Sequence, residues 1–226
     1  MGVLVAGGTG ALGQAVVREL LDSGYRCTVT WVVEDERRQA EDDFGDRATL
    51  VYADLIDPGG GAADAVAAVD DLEAVVNLVG GFGPGGVVHE TEPAAFERMI
   101  ELNLTPAVNL ARAAMPRMIE RGGGAFVGVS SRAALRPFRG AAGYIVGKAA
   151  LLAFIQALDA DYKNQGIRCN AIVPSVIDTP ANRADQPDAD HSKWVAPEAI
   201  AKVIRFLVSD DSAPMSGAAV PVYGRA

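Results

Sequence analysis

Tyr144 and Lys148 stand one helical turn apart in the stretch 140–165, whose apolar spacing predicts a long helix. Their side chains therefore share a face. A phenol titrates near about 10 and is a poor acid or base at neutral pH. A cation one turn away favours the phenolate and lowers that value. Ser131 lies upstream, at the end of a predicted strand, where its hydroxyl could hold a carbonyl oxygen while Tyr144 exchanges the proton. Alone, the tyrosine and lysine describe a half-buried aromatic beside a solvated cation just as well. A second motif in the same chain turns the balance toward acid–base chemistry.

That motif is Gly7-Gly8-Thr9-Gly10-Ala11-Leu12-Gly13, set between an apolar run at 3–6 and a helical pattern at 11–23 that stops at Gly24. Small residues let the backbone turn tightly and approach a pyrophosphate, and the free N–H groups of the helix start bind the anion. The strand before and the helix after are the context such a loop needs. Gly143 and Gly147-Lys148 hint at a mononucleotide P-loop. The spacing is one residue short, and Ala149 stands where a magnesium-binding hydroxyl belongs, so that reading is rejected. His89 and His191 are too few and too scattered for a metal, and no metal is expected.

The elements that must position these residues alternate from end to end. Strands are predicted at 3–6, 26–33, 48–52, 74–79, 125–130, 168–173 and 218–222. Helices are predicted at 11–23, 34–43, 64–70, 92–121, 140–165 and 197–209, with bends at Pro106 and Pro116. The strands are continuous Val/Ile/Leu runs rather than in–out alternations, which implies burial on both faces by helices. The fold class is α/β: one doubly wound parallel sheet, a Rossmann fold, with helices on both faces and a single domain over 1–226. The polar segment 179–196 reads as a substrate loop at the carboxyl edge of the strands, where ligands bind in such sheets.

Half of the residues are hydrophobic, enough for a sizeable core, and the net charge of −9 repels nucleic acid and anionic membranes. The stretch 74–88 is free of Lys, Arg and Asp, but glycines and Pro84 break it, so it cannot span a membrane as a helix. Cys27 and Cys169 sit in apolar, strand-like runs and read as buried thiols in a reducing cytoplasm. Met1 and Gly2 run directly into the first strand, so no leader and a cytoplasmic protein are expected.

With the glycine loop, Asp54-Leu55, Asn77-Leu78-Val79-Gly80, Asn103, Ser131, Tyr144/Lys148 and the run from Pro174 to Thr179 in this order, the chain resembles the short-chain dehydrogenase/reductase family over essentially its whole length. The resemblance implies a catalytic tetrad of Asn103, Ser131, Tyr144 and Lys148. It implies that Gly7, Thr9, Gly10, Ala11, Leu12 and Gly13 cradle the pyrophosphate, that Asp54 and Leu55 meet the adenine, and that Asn77 and Val79 lie on the adenosine ribose side. Lys148 and Tyr144 would hold the nicotinamide ribose, and Ile177 and Thr179 the carboxamide. The chain departs from the family at Ala6, Ala11, Leu78 and Ser175. The glycine loop, Gly80-Gly81-Phe82 and the run Asp178 to Arg183 followed by Trp194 are similar to the dihydropteridine reductase branch. That branch commonly lacks the serine, and Ser131 points to an ordinary carbonyl or alcohol substrate.

Cofactor choice in such sheets is set at the end of the second strand, by an acid for the 2′-hydroxyl of NAD or a base for the 2′-phosphate of NADP. The acidic position falls on Trp31, and Arg37 and Arg38 follow, so NADP(H) is favoured over NAD(H). Phe82, Phe138 and Trp194 are candidates for pocket walls, and Arg132, Arg136 and Arg139 either draw an anionic substrate or solvate a loop. The apolar surfaces of 92–121 and 140–165, through which the family pairs, imply a homodimer or homotetramer. Dihydropteridine reductase-like activity and a non-catalytic dinucleotide-sensing regulator on the same fold are the alternative readings.

Overall fold

A computed structural model describes residues 1–57, 59–83 and 85–225 of the chain; Pro84, which breaks the apolar stretch, lies outside them. Seven strands form one sheet: β1 (Gly2–Ala6), β2 (Arg26–Trp31), β3 (Ala48–Tyr52), β4 (Leu72–Asn77), β5 (Gly124–Val129), β6 (Ile167–Pro174) and β7 (Ala219–Val222). All pairings are parallel and the order is β3-β2-β1-β4-β5-β6-β7. The seven larger helices are α1 (Ala11–Asp22), α2 (Glu34–Phe44), α3 (Gly61–Ala67), α4 (Pro93–Arg121), α5 (Ala142–Tyr162), α6 (Pro180–Asp185) and α7 (Pro197–Val208).

Alternate residues of the central strands feed two cores. Leu4, Ala6, Val75 and Phe126 pack with α3, α4 and α5 on one face. Val3, Val5, Ala74, Val76 and Val127 pack with α1, α2 and α7 on the other. Burial on both faces is why the strands read as unbroken apolar runs. The order in which strands join the sheet reverses between β1 and β4, so the carboxyl ends of the strands open a crevice there.

Differences from the sequence reading have local causes. α5 begins at Ala142 rather than 140, because Gly140 takes a φ of +81° and its carbonyl accepts the Gly85 N–H at 3.1 Å. α4 runs unbroken through Pro106 and Pro116. Each proline removes one i→i−4 bond, which a long helix packed along its length tolerates. The segment 179–196 is not wholly loop: Thr179 caps the short α6 by accepting the Asn182 N–H at 3.2 Å. The stretch Ala142–Gln165 is long and apolar enough to cross a membrane by length and composition. In the fold one of its faces, with Gly143, Gly147, Leu151 and Ile155, is buried against the sheet and α4.

Candidate active site

The glycine loop leaves the carboxyl end of β1 and opens α1. Gly7 adopts φ +73°, which favours glycine, and its N–H donates to the Thr30 hydroxyl at 3.0 Å, anchoring the turn to β2. A Cβ on Gly13 would stand 2.3 Å from the Gly7 carbonyl and 2.5 Å from Gly8 Cα, so only glycine lets the helix start this close to the loop. Gly10, the N-cap, faces open space apart from one ordinary contact to Gly7. The N–H groups of the first turn of α1, at Ala11, Leu12 and Gly13, have no partner within the helix. The Thr9 hydroxyl donates to Glu36 of α2 at 2.9 Å, which sequence reasoning did not foresee.

Along the crevice, Asn77 ends β4. Its Oδ1 accepts the Val79 N–H at 3.2 Å, while Nδ2 is buried with no partner among the described residues. A buried amide donor left open beside Val79 and the glycine loop is what a ribose hydroxyl would satisfy. Leu55 is buried in the core, and its carbonyl accepts the Asn109 amide of α4 at 2.9 Å, fixing the loop after β3. Asp54 is exposed and accepts the Ile56 N–H at 3.0 Å. Ile177 and Thr179 follow β6; Ile177 bridges Val195, and Asn182 donates to the Ile177 carbonyl at 2.8 Å. The glycine cradle, the open Asn77 donor and the helix start together fit a dinucleotide.

At the end of β2, Trp31 packs edge-on against Tyr52 with ring centroids 5.1 Å apart, and the Arg37 guanidinium lies over the indole at 5.4 Å. Arg37 is not free: Glu34 binds it through both carboxylate oxygens at 2.7 and 3.0 Å, and Glu41 binds it from the next turn. Arg38 reaches Glu34 at 3.4 Å.

The residues predicted to be catalytic lie around the contact of α4 and α5. Gly143 and Gly147 are the reason the two helices can touch there. A Cβ on Gly147 would stand 2.8 Å from the Met99 carbonyl and 3.1 Å from Asn103 Cβ, and one on Gly143 would meet the Phe96 backbone at 3.1 Å. The glycine pair that mimics a P-loop is thus the seat for α4, and small residues one turn apart were the available signal. Asn103 is fully buried; its amide donates to the carbonyls of Gly81 and Met99 at 2.9 Å each, and its Oδ1 accepts the Gly81 N–H at 3.1 Å. Gly80 fits between Asn103 and Lys148: a Cβ there would lie 2.7 Å from Asn103 Oδ1 and 2.8 Å from Lys148 Nζ. Its role was not read from the sequence, although Gly80-Gly81 stood out in it.

Lys148 is buried, and its ammonium donates to the Val129 carbonyl at 2.9 Å. Burial pulls its pKa down to about 8. Ser130, which the sequence analysis passed over for its neighbour, donates to the Lys148 carbonyl at 2.8 Å and fastens α5 to the end of β5. The Ser131 oxygen accepts the Ala133 N–H at 3.1 Å. The Tyr144 phenol is held above the ordinary tyrosine value by burial, against a lowering by the Ser131 hydroxyl. The expected lowering by Lys148 does not appear: burial sets the direction, Ser131 alone opposes it, and the Lys148 ammonium is turned to Val129. Phe82 stands edge-on to Tyr144 at 5.2 Å and 6.3 Å from Phe138, making an apolar wall. Trp194 meets His191 within the 179–196 segment, with ring centroids 4.3 Å apart and planes tilted by 48°.

Comparison with known proteins agrees with this arrangement. Residues 2–190 match the family model described as short chain dehydrogenase. The 2-(R)-hydroxypropyl-CoM dehydrogenase of Xanthobacter autotrophicus is 29% identical over 98% of this chain and 96% of its own. The cis-4-hydroxycyclohexanecarboxylate dehydrogenase of Sinomonas cyclohexanicum is 30% identical over 98% of this chain and 94% of its own. A solved short-chain type dehydrogenase/reductase from Mycobacterium ulcerans superposes with a TM-score of 0.93 at 25% identity, covering 99% of this chain and 88% of that one. With its doubly wound parallel sheet, its glycine cradle and these relatives, the chain belongs to the short-chain dehydrogenase/reductase family of NAD(P)-dependent oxidoreductases.

Proposed function

We propose that this protein moves a hydride between a nicotinamide cofactor and a carbonyl/alcohol pair, with Tyr144 as general acid/base. The observation that carries the reading is the convergence of Asn103, Gly80, Lys148 and Tyr144 at the α4–α5 contact. The cofactor supplies the hydride when bound. Ala11, Leu12 and Gly13 offer backbone N–H groups to its pyrophosphate, Gly7 and Gly10 shape the turn with their own N–H groups donated to Thr30 and Gly7, and Thr9 contributes backbone only while its hydroxyl serves Glu36. Asn77 and Val79 take the ribose side, Asp54 and Leu55 the adenine, and Ile177 and Thr179 the carboxamide.

In carbonyl reduction Tyr144 gives its phenolic proton to the carbonyl oxygen, and Ser131 holds that oxygen with a hydrogen bond. Lys148 stabilises the phenolate left behind, and Asn103 fixes the Gly81 backbone over it. The raised tyrosine pKa keeps the phenol protonated at neutral pH, which suits the reductive direction. The serine beside the tyrosine supports a carbonyl or alcohol over a quinonoid pterin. The names of the two curated relatives, a hydroxypropyl and a hydroxycyclohexane dehydrogenase, support the same class.

NADP(H) is the preferred cofactor in this reading. Trp31 supplies no carboxylate for ribose hydroxyls, and Arg37 on its indole face is the cation placed for a 2′-phosphate. The outward surface of α5, rich in Ala149, Ala150, Ala153 and Phe154, supports pairing with a second copy as a homodimer or homotetramer. The segment 179–196 covers the substrate.

The test is NAD(P)H consumption across a panel of aldehydes and ketones. Turnover of at least one class supports the reading, and tight cofactor binding with no turnover of any carbonyl favours a dinucleotide-sensing regulator.

A further inference from the structure

Between Ser131 and α5 the chain carries Arg132, Arg136 and Arg139, and none has a carboxylate partner among the described residues. The setting makes this unusual, because the chain has a net charge of −9 and most of its other arginines are ion-paired. The Arg132 guanidinium stacks over Tyr223, beyond β7, at 5.2 Å. Arg139 instead lines an open groove of about 400 Å³ whose other walls are Val87, Val88, Phe138, Ile145 and Val146. Val88, Phe138 and Val146 are exposed there, so the groove is an apolar surface with one cation on it.

A line of aromatic contacts runs from Tyr144 to the groove. Tyr144 meets Phe82 at 5.2 Å, Phe82 meets Phe138 at 6.3 Å, and Phe138 is a wall of the groove. A molecule with its carbonyl at Tyr144 would lay its body over Phe82 and Phe138 and bring its far end to Arg139. An unpaired guanidinium at the end of an apolar track selects an anion, because it offers charge-assisted, bidentate hydrogen bonds without first breaking an internal ion pair. Arg132 and Arg136 add positive potential on the same segment and draw an anion toward the cleft of an otherwise acidic protein.

We propose that the substrate is an anionic ketone or secondary alcohol, with an apolar body between its reacting carbon and a carboxylate-type group bound by Arg139. This rests on the reading of Tyr144 as the acid/base of carbonyl reduction and specifies the substrate class for that site.

The experiment measures kcat/KM for medium-chain keto acids and for their methyl esters, in wild type, Arg139→Gln and Arg132→Gln, at low and high salt. The expected result is an acid-over-ester preference of at least ~10-fold in wild type that falls as salt rises. In Arg139→Gln it should shrink to within about threefold, through a higher KM for the acid with kcat held and the ester unaffected. Arg132→Gln, whose side chain is stacked on Tyr223, should keep most of the preference. Equal use of acid and ester by wild type, or an Arg139→Gln loss equal for both, overturns the proposal and leaves the oxidoreductase reading standing. Absence of turnover for acids, esters and the neutral ketones of the wider panel overturns that reading and this inference with it.

Discussion

The ammonium of Lys148 donates to the carbonyl of Val129 at 2.9 Å, joining α5 to the end of β5 in a site with almost no water contact. A buried cation with a single neutral partner is a cost to folding, and a site that keeps one holds it for another purpose.

Removing that cation should therefore not weaken the fold at neutral pH. Between the folded value of about 8 and the ordinary lysine value of 10.5, the unfolded chain binds a proton that the folded chain does not. Stability of the wild type should rise with pH across this window, and in Lys148→Met it should not. Denaturant unfolding at pH 8 and pH 10 reads the difference directly. Lys148→Met should also lose both cofactor affinity and turnover. A Lys148→Met protein that unfolds earlier than wild type at pH 7 and tracks its pH dependence would contradict the burial account.

Gly80 is where the site has no space to give. A methyl group there would press on both Asn103 Oδ1 and Lys148 Nζ, and neither is the free end of a mobile chain, since Asn103 makes three hydrogen bonds and Lys148 one. Gly80→Ala should lower kcat by about 10²-fold, the scale of a roughly 1 Å displacement of a reacting group, with only a few degrees lost in Tm. Steady-state kinetics and calorimetry on one preparation separate the two effects. Wild-type kcat in this variant would mean that Asn103 and Lys148 need not hold their places.

Tyr144 sets the expected pH behaviour. With its pKa raised by burial, the phenol is protonated at neutral pH. Alcohol oxidation needs the phenolate, so its rate should climb by up to ~10-fold per pH unit from pH 7 upward. Carbonyl reduction should hold steady up to about pH 8 and fall above it, as Lys148 loses the proton that stabilises the phenolate. Parallel pH profiles of the two directions check this, and an oxidation rate independent of pH between 7 and 9 would count against Tyr144 as the titrating group.

Much of this was legible from the residues. The strands were readable because burial on both faces leaves no polar alternation, and Tyr144, Lys148 and Ser131 stood out as candidates because their types and spacing are rare together. The packing partners were not. That Gly143 and Gly147 seat α4, or that Ser130 rather than Ser131 ties down Lys148, depends on which helix crosses which, and no local pattern encodes that crossing. The sign of the tyrosine shift was missed for a related reason: the spacing to Lys148 was visible, but the depth of burial was not. Nor did the sequence show that the arginine facing Trp31 is already occupied.

That occupied arginine yields a cofactor prediction. A 2′-phosphate must displace Glu34 from Arg37 before binding it. Glu34→Gln should raise NADPH affinity several-fold and leave NADH unchanged, while an Arg37→Ala/Arg38→Ala double variant should lose NADPH affinity. Because Trp31 sits under Arg37, its fluorescence is the readout. Tighter wild-type binding of NADH than of NADPH would overturn the assignment.

The central claim is that Tyr144 delivers the proton while hydride passes to a carbonyl carbon. Deuterium-labelled NADPH, deuterated at the transferable position, should leave its label on the carbinol carbon of the product with wild-type enzyme. In Tyr144→Phe, cofactor affinity should stay within a few-fold while the rate of label transfer falls by at least ~10²-fold. Label transfer at the wild-type rate in Tyr144→Phe, or bound cofactor with no label in any product of the wild type, would contradict it.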